Sequence, residues 1–422
     1  MVVARRRNLW RSLLLLVGVL GPGFVTASAG NDVGGITTYS QAGAQFGYKT
    51  LWLLIPLAVS LIVVQEMATR MGTVTGKGLA ALIRENFGVR ISFFAMLILF
   101  FINTGIAATE FLGIAAASEL FHVSRYVTVP ISVVLVFLFV LRFESKIVER
   151  VFVVFSVIYV AYIISAVLAH PNWHDVATGT LIPTFEASSA FIFMVVSLIG
   201  TTISPYMQFF LQSAIVDKGS DEHELTLARI DVVVGSILGI AIAGFIIIAN
   251  AATIFQHPAH LDIANLQAAD FARALEPLAG QVAEVVFALG ILNAGLFTAT
   301  VLPLSTSFVI CEALGFEAAV DRKFREAPVF FSLFGAGLLI GAAVVLIPGI
   351  PYTNFILWAQ AFQGMALPPE LILMIFIINR RSVMGNYTNG RAANAIAWIT
   401  TIVIGTLSVV AAAQQFIPAL HG

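Results

Sequence analysis

The stretch GNDVGGITTYSQAGAQFGY, residues 30–48, belongs to one long apolar segment that begins near residue 11 and ends near residue 46. A straight transmembrane helix needs only about 20 residues, so this segment is too long for a single uninterrupted crossing. Gly30, Gly34 and Gly35 surround Asp32 and predict an interruption at that point. Free backbone groups at membrane depth are tolerated only inside protein or beside a water-filled cavity. The stretch therefore predicts a broken helix with a carboxylate at its break.

The composition of the whole chain indicates a membrane protein. Of its 422 residues, 59% are hydrophobic and 11% are charged, whereas ordinary soluble domains are about 25% charged. This balance excludes an ordinary soluble enzyme, a nucleic-acid-binding protein and a disordered chain. The single cysteine, Cys311, excludes an internal disulfide and a thiolate metal cluster. The first residues look like a signal peptide, but the apolar segment continues, which predicts a first span that is kept.

Eleven membrane spans are predicted, and Pro205 interrupts the sixth. The two interruptions are five spans apart, and corresponding breaks in two halves of a transporter point to its binding site. The predicted spans are 11–46, 51–69, 91–120, 126–141, 148–169, 187–216, 230–254, 282–312, 329–347, 354–378 and 394–417. The sequence thus predicts an all-α polytopic membrane protein with broken helices in spans one and six.

The distribution of positive charge predicts the orientation of the chain. Of the 22 Lys and Arg residues, all but Lys49, Arg125 and Arg273 fall on the same side of the membrane as the N-terminus. Positive residues concentrate on the cytoplasmic side. We therefore expect a multi-pass protein of the cell membrane with a cytoplasmic N-terminus and an external C-terminus.

Few ionisable or freed polar groups lie within the spans. An ionisable residue at membrane depth costs at least ~2.5 kcal/mol and is a candidate for function. Asp32, together with unwound backbone carbonyls, would form an all-oxygen cation site, or it would only cap the following half-helix. Glu110 in span three is either functional or joins two spans by a hydrogen bond. Pro205 frees carbonyls near Thr201, and Ser204 adds a hydroxyl, although an ordinary proline kink would have the same sequence.

Several motifs resemble those of the Nramp divalent-metal transporters. They are GPGF at 21–24, the stretch at 30–48, TGKGLAAL at 75–82, GTTISPYMQFFLQSAIV at 200–216 and Gln360 in span ten. The resemblance covers most of the chain and implies a single transmembrane transporter domain, 1–422. It also implies two inverted five-helix repeats whose broken helices meet at a central ion. The repeats would be 1–170 and 187–378, followed by an extra helix at 394–417.

The resemblance further implies a metal site that departs from the family pattern. The family's DPGN motif corresponds to Asp32, Val33, Gly34 and Gly35, so the aspartate stays and the asparagine ligand is lost. The methionine ligand of span six corresponds to Ser204. Two carbonyl ligands of the family correspond to Ala29 and Thr201. The full metal-binding set implied here is Asp32, Ala29, Thr201, Ser204, Asn31, Gly35 and Gln360.

The positions that couple transport to protons in this family are also altered. The histidine of span six corresponds to Tyr206, which is a poor proton relay near neutral pH. The usual acid pair of span three is reduced to Glu110, with Ala107 at the other position. Span nine has no charged residue, and none occurs from 329 to 369. Glu110 and Tyr206 therefore remain as coupling or accessory residues on an incomplete proton route.

These departures predict the transported ion. A thioether favours softer transition metals, and serine in its place removes that preference. Glycine in place of asparagine removes a ligand and is expected to add room. A wide site of oxygen ligands suits a partly hydrated Mg²⁺ and admits Mn²⁺, as in the Nramp-related magnesium transporters, which this pattern resembles. We therefore predict a secondary transporter that imports Mg²⁺ and Mn²⁺ by alternating access and is not coupled to protons.

Two alternatives remain open from the sequence. One is a proton-coupled Mn²⁺/Fe²⁺ importer, and the other is a sodium-coupled amino-acid carrier with the same broken helices. Neither a nucleotide-binding loop nor a hydrolase motif occurs, so no enzymatic activity and no cofactor are expected. The expected partners are divalent cations and the lipid bilayer, without nucleic acid. A monomer is consistent with the sequence, which leaves the oligomeric state open.

Overall fold

The computed structural model describes residues 29–142, 159–220, 222–258, 261–316 and 325–416. Within these ranges the regular elements are helices and no strand occurs. The predicted all-α fold is therefore confirmed. The first part of span one, with GPGF at 21–24, and the start of span five at 148–158 lie outside the described residues.

Where the structure describes the ends of a predicted span, the helices begin and end within six residues of the prediction. The first part of the chain contains α1 (Val33–Phe46), α2 (Leu54–Thr75), α3 (Leu79–Phe87), α4 (Val89–Leu120), α5 (Arg125–Arg142), α6 (Val160–Leu168) and α7 (Trp173–Leu181). The sixth span consists of α8 (Ser189–Thr202) and α9 (Pro205–Asp217). The remaining helices are α10 (Leu225–Asn250), α11 (Ala268–Ala272), α12 (Glu276–Ala279), α13 (Ala283–Leu314), α14 (Pro328–Val345), α15 (Tyr352–Ile378), α16 (Arg381–Met384) and α17 (Arg391–Phe416).

Eight helical stretches in the described ranges are long and apolar enough to cross a membrane. A ninth, shorter apolar helix covers Arg125–Val140, where the fourth span is predicted. Large apolar side chains face outward from these helices, for example Phe101 at 66% exposure and Ile402 at 62%. Lipid rather than water suits such a surface. The count of eleven spans and the inverted repeats remain predictions.

The core is built around α1, whose residues are all buried except Gln45. Helices α8, α10 and α15 pack directly against it. Helices α8 and α15 cross at Gly200, where an added Cβ atom would lie 1.9 Å from the carbonyl oxygen of Gln360. Small residues allow this backbone contact between membrane helices. The crossing places the break of span six beside the middle of α15.

Candidate metal centre

The first break lies immediately before α1. Residues Ala29–Asn31 form a short 3₁₀ turn, and Asp32 then adopts an extended conformation and caps α1. Its carboxylate oxygen Oδ1 accepts a hydrogen bond from the backbone N–H of Gly35 at 2.6 Å. Asp32 is buried, with 5% of its surface exposed. Asp32 therefore caps α1, which was one of its two predicted roles. Its other predicted role, as a metal ligand, remains a prediction.

Glu110 approaches the same helix end from α4. Its Oε2 accepts a hydrogen bond from the backbone N–H of Val33 at 3.3 Å, and its Oε1 accepts one from the Thr109 hydroxyl at 3.3 Å. The side chain is completely buried. Both Glu110 and Asp32 therefore bind the first turn of α1. A helix N-terminus carries roughly +0.5 of a unit charge and stabilises carboxylates placed there.

The second break separates α8 from α9. Helix α8 ends at Thr202, and α9 begins at Pro205 with Ser204 as the capping residue. The Ser204 hydroxyl donates to the carbonyl oxygen of Gly200 at 2.8 Å. The Oε1 atom of Gln363 lies 3.0 Å from the same hydroxyl. Ser204 thus turns toward the carbonyls of the last turn of α8. Tyr206 lies in the first turn of α9 and is buried.

The two breaks lie against each other and against α15. A Cβ atom added to Gly30 would lie 3.4 Å from the carbonyl oxygen of Thr201. One added to Gly34 would lie 1.7 Å from Nε2 of Gln360 and 3.2 Å from Oδ1 of Asp32. The structure therefore brings Thr201, Gln360 and Asp32 together around the first break. Ala29 begins the 3₁₀ turn that precedes Asp32.

Several buried oxygen atoms at the breaks lack a hydrogen-bond partner among the described residues. They are Oδ1 of Asn31, the hydroxyl of Thr201 and the amide oxygen of Gln360. No group of three or more His, Cys, Asp or Glu side chains arranged to hold a metal occurs in the part of the chain that is described. A metal at this centre would depend on two carboxylates and on neutral oxygens of these kinds.

The predicted extra room at Gly35 is not found. A Cβ atom on Gly35 would lie 2.0 Å from the carbonyl oxygen of Gly30. The 3₁₀ turn packs against α1 at this point, so the backbone of Gly30 fills the space that a side chain at position 35 would take. The residue type alone does not predict this contact, because it depends on how the turn packs against the helix.

A thioether also lies near the breaks, which the comparison of motifs did not predict. Met207 is 1% exposed, and its terminal methyl carbon is 3.5 Å from the position of a Cβ atom on Gly30. Met207 follows Ser204 by three residues and belongs to the first turn of α9. The loss of methionine at position 204 therefore does not remove sulfur from the surroundings of the centre.

Small residues lie in close contact between α4 and α14, where the resemblance to the family implied a proton route. Ala107 is fully buried, and a Cβ atom on Gly341 of α14 would lie 3.1 Å from its side chain. The same added atom would lie 3.0 Å from the backbone nitrogen of Ala108. Helices α4 and α14 are thus in close contact at this level, and α14 has no charged side chain.

The ionisable residues nearer to the span ends have different surroundings. Glu66 forms ion pairs with Arg70 at 3.0 Å and Arg229 at 2.8 Å. Glu312 accepts a hydrogen bond from the backbone N–H of Gly78 at 2.9 Å. These contacts indicate that Glu66 and Glu312 have structural roles. Glu370 is buried in α15, and neither carboxylate oxygen has a hydrogen-bond partner among the residues described.

A helix broken at Thr202–Pro205 that lies against a helix beginning at two buried carboxyl groups is typical of secondary transporters with discontinuous helices. The chain belongs to the Nramp family, because the family model described as "Natural resistance-associated macrophage protein-like" matches residues 23–414. The predicted family is therefore confirmed, and the chain is a multi-pass membrane protein of that family. Membership in the magnesium-transporting branch remains a prediction.

The chain is similar to one characterised relative in sequence and to solved transporters in fold. The chain is 26% identical over 402 residues to the divalent metal cation transporter MntH of Klebsiella pneumoniae (strain 342), and the match covers 93% of each protein. The Eremococcus coleocola manganese transporter, solved with an aromatic bis-isothiourea substituted compound, has a TM-score of 0.78 at 22% identity, covering 96% of this chain and 88% of that chain. The nucleobase-cation-symport-1 family transporter Mhp1, in a closed conformation, has a TM-score of 0.58 at 16% identity, covering 95% and 91%.

Proposed function

We propose that the chain is a secondary transporter of the plasma membrane that imports divalent metal cations, both Mg²⁺ and Mn²⁺, by alternating access. The observation that carries this proposal is the pair of buried carboxylates, Asp32 and Glu110, on the first turn of α1. The second broken helix lies against this turn at Thr201. The relatives reported above are, by their descriptions, a divalent metal cation transporter and a manganese transporter.

The charge and the ligand types at the centre favour a hard dication. When both are ionised, Asp32 and Glu110 together match the charge of one divalent ion, and they would then repel an anionic amino-acid substrate. The unpartnered oxygens of Asn31, Thr201 and Gln360 are neutral and hard. Mg²⁺ is usually held by one or two carboxylates and keeps several of its waters. The site therefore supports Mg²⁺ as a substrate alongside Mn²⁺.

A manganese-selective importer is the second candidate, and the position of Met207 favours it. A thioether raises the affinity for softer metals relative to Mg²⁺. Met207→Leu removes the sulfur at nearly constant volume. If this sulfur contributes, the variant loses uptake of Mn²⁺ and Cd²⁺ while Mg²⁺ uptake persists. Equal uptake of all three ions by the variant and the wild type would leave the first proposal as the better one.

We further propose that transport is not coupled to protons. The close contact of Ala107 with Gly341 leaves no titratable group between α4 and α14 at that level among the described residues. Glu110 alone is an incomplete route, since proton relays use several titratable groups in series. An inside-negative potential already favours entry of a dication by about 4.6 kcal/mol per 100 mV, twice the value for one charge.

The test is metal influx into proteoliposomes that contain a Mg²⁺ or Mn²⁺ indicator and an internal pH dye. We expect influx of both ions that rises with an inside-negative potential and is not accompanied by acidification. Asp32→Asn serves as the inactive control, because it removes the charge and keeps an oxygen that can cap α1. Mn²⁺ influx without Mg²⁺ influx would support the second candidate. Metal-dependent acidification that disappears in Glu110→Gln would show that a proton route exists.

A further inference from the structure

The loop between α2 and α3 carries the first residues of the motif TGKGLAAL, residues 75–82. Helix α2 ends at Gly76, which has a left-handed conformation with a φ of +62°, and Gly78 is the capping residue of α3. A glycine has no side chain with which to bind the free N–H groups at the start of a helix. Glu312 of α13 supplies an acceptor there, since its Oε1 accepts a hydrogen bond from the N–H of Gly78 at 2.9 Å.

The geometry of this contact requires a glycine at position 78. A Cβ atom there would lie 2.2 Å from both carboxylate oxygens of Glu312. Glu312 lies in the last turn of α13, where the negative end of its own helix disfavours a carboxylate, whereas the positive start of α3 favours one. The carboxylate therefore holds the start of α3 against the end of α13.

The same loop also holds α9, the second half of the broken sixth span. Nε2 of Gln212 donates a hydrogen bond to the carbonyl oxygen of Lys77 at 2.8 Å. Gln212 is completely buried, and its Cγ atom would lie 3.1 Å from a Cβ atom on Gly72 of α2. It lies about two turns beyond Pro205, roughly 10 Å along the helix. The loop thus connects the end of α9 that is remote from the break to the end of α13.

By the predicted orientation, this connection lies on the cytoplasmic side of the metal centre. Lys77 in the loop and Lys218 at the end of α9 are both among the residues predicted to lie inside. Ser213, which follows Gln212, is only 7% exposed. The structure is therefore closed at this end of α9. Alternating access requires such an end to open while the other end of the transporter is closed.

We propose that Glu312 is a positioning residue for transport, whose carboxylate holds the loop at Gly78 and so keeps the cytoplasmic end of α9 closed against α13. Release of this contact lets the end of α9 move away and opens the centre to the cytoplasm. Glu312 acts through the loop and not on the ion itself. This inference rests on the proposed function, because it concerns alternating access to that same centre.

The experiment compares Glu312→Leu with Glu312→Gln, which have similar volumes and differ in whether they can accept the hydrogen bond from Gly78. The reporter is Ser213→Cys in a Cys311→Ala background, because Cys311 is the single cysteine of the chain. A membrane-impermeant maleimide is applied to inverted vesicles, whose cytoplasmic face is outward. We expect Glu312→Leu to speed labelling at position 213 by about tenfold, a shift of about 1.4 kcal/mol in the opening equilibrium, and Glu312→Gln to keep the rate seen without it.

Uptake by the full-length variants in proteoliposomes gives the second measurement. The end of α9 must close again before the empty centre can face outward, so Glu312→Leu should lower the uptake rate at saturating Mn²⁺ by about tenfold, and Glu312→Gln should restore it. Gly78→Ala displaces the carboxylate and should match Glu312→Leu in both measurements. Glu85→Gln is the control, because it removes a carboxylate of α3 that forms an exposed ion pair with Lys77 at 2.7 Å, and it should change neither value.

The outcomes separate this inference from the proposed function. Equal labelling rates in Glu312→Leu and Glu312→Gln would overturn the role of Glu312, and a loss of uptake without faster labelling would show a role in stability only. A wild-type protein that imports no divalent ion would overturn the proposed function, whereas the labelling rates need no ion. If Glu312→Leu does not fold, as judged by size-exclusion chromatography, Gly78→Ala against the wild type provides the same comparison, and the same results decide it.

Discussion

Glycine substitutions at the first break provide a graded test of how closely the two broken helices meet. A Cβ atom on Gly30 would make ordinary contacts, 3.4 Å from the Thr201 oxygen and 3.5 Å from the Met207 methyl. One on Gly34 would lie 1.7 Å from the end of the Gln360 side chain, which is flexible. A Cβ atom on Gly35 would lie 2.0 Å from the backbone oxygen of Gly30, and this backbone atom cannot rotate away as a side chain can.

The sizes of these overlaps predict different outcomes. Gly35→Ala requires the Gly30 carbonyl to move by roughly 1.4 Å to reach an ordinary contact distance near 3.4 Å. Overpacking of this kind costs about 1–3 kcal/mol, and a displacement of about 1 Å at a working site can reduce activity about 100-fold. The N–H of Gly35 also holds the Asp32 carboxylate, so the same shift disturbs the capping bond. We expect Gly35→Ala to lose at least about nine-tenths of its uptake, a tenfold change.

The matched variants separate steric displacement from the general loss of a glycine. Gly30→Ala should retain uptake within about twofold of the wild type, well under 1 kcal/mol in free energy. Gly34→Ala should fold normally and alter the Mg²⁺/Mn²⁺ ratio, because the Gln360 amide must swing away. The assay is Mn²⁺ and Mg²⁺ uptake per reconstituted protein, with thermal melting in detergent as the folding check. Wild-type uptake by Gly35→Ala, or an equal loss in Gly30→Ala, would refute the reasoning.

Substitutions at three further residues test the remaining elements of the centre. Asp32→Ala should abolish uptake of every divalent ion and lower the free energy of unfolding by about 1 kcal/mol through loss of the helix cap, whereas Asp32→Asn should abolish uptake with a smaller change in melting temperature. Ser204→Met should lower the Mg²⁺/Mn²⁺ uptake ratio, measured by competition between the two ions, because a thioether replaces a hydroxyl; an unchanged ratio would assign selectivity to other residues. Glu110→Gln should reduce metal uptake without changing internal pH, and any proton flux that it removes would contradict the uncoupled mechanism.

The sequence was sufficient to locate the break before Pro205 and the start of α1 at Asp32, because glycine and proline weaken a helix locally. A proline alone does not decide this, since Pro130, Pro303 and Pro368 lie inside helices. The ends of long helices were also predictable, as in the span predicted at 91–120, which the structure has as Val89–Leu120. Here hydrophobic length alone sets the limits.

Contacts between distant segments could not be predicted from one sequence. Glu110 and Val33 are 77 residues apart, and only the fold shows that the carboxylate reaches the first turn of α1. The approach of Gly30 to Gly35 and the position of Met207 are likewise set by how segments pack. Gln208 has the sequence context of an ordinary polar helix residue, and its unpaired amide becomes evident only when its neighbours are known.

Backbone hydrogen bonds hold both buried carboxyl groups, Asp32 and Glu110, at the first turn of α1. Two buried carboxylates without a cation would be strongly unfavourable in a medium of low dielectric constant. Here each accepts a backbone hydrogen bond, from Gly35 to Asp32 and from Val33 to Glu110, at the positive end of a helix. The Asp32 bond lies within α1 and its cap, so it moves with that helix. The Glu110 bond joins α1 to α4, so any motion of α1 relative to α4 must break it or carry both helices together. A bound dication would replace the charge compensation that the helix end supplies, and so would reduce the cost of releasing Val33 from Glu110. If an ion binds here as proposed, its binding and the freedom of α1 to move would be linked through the hydrogen bond between Val33 and Glu110.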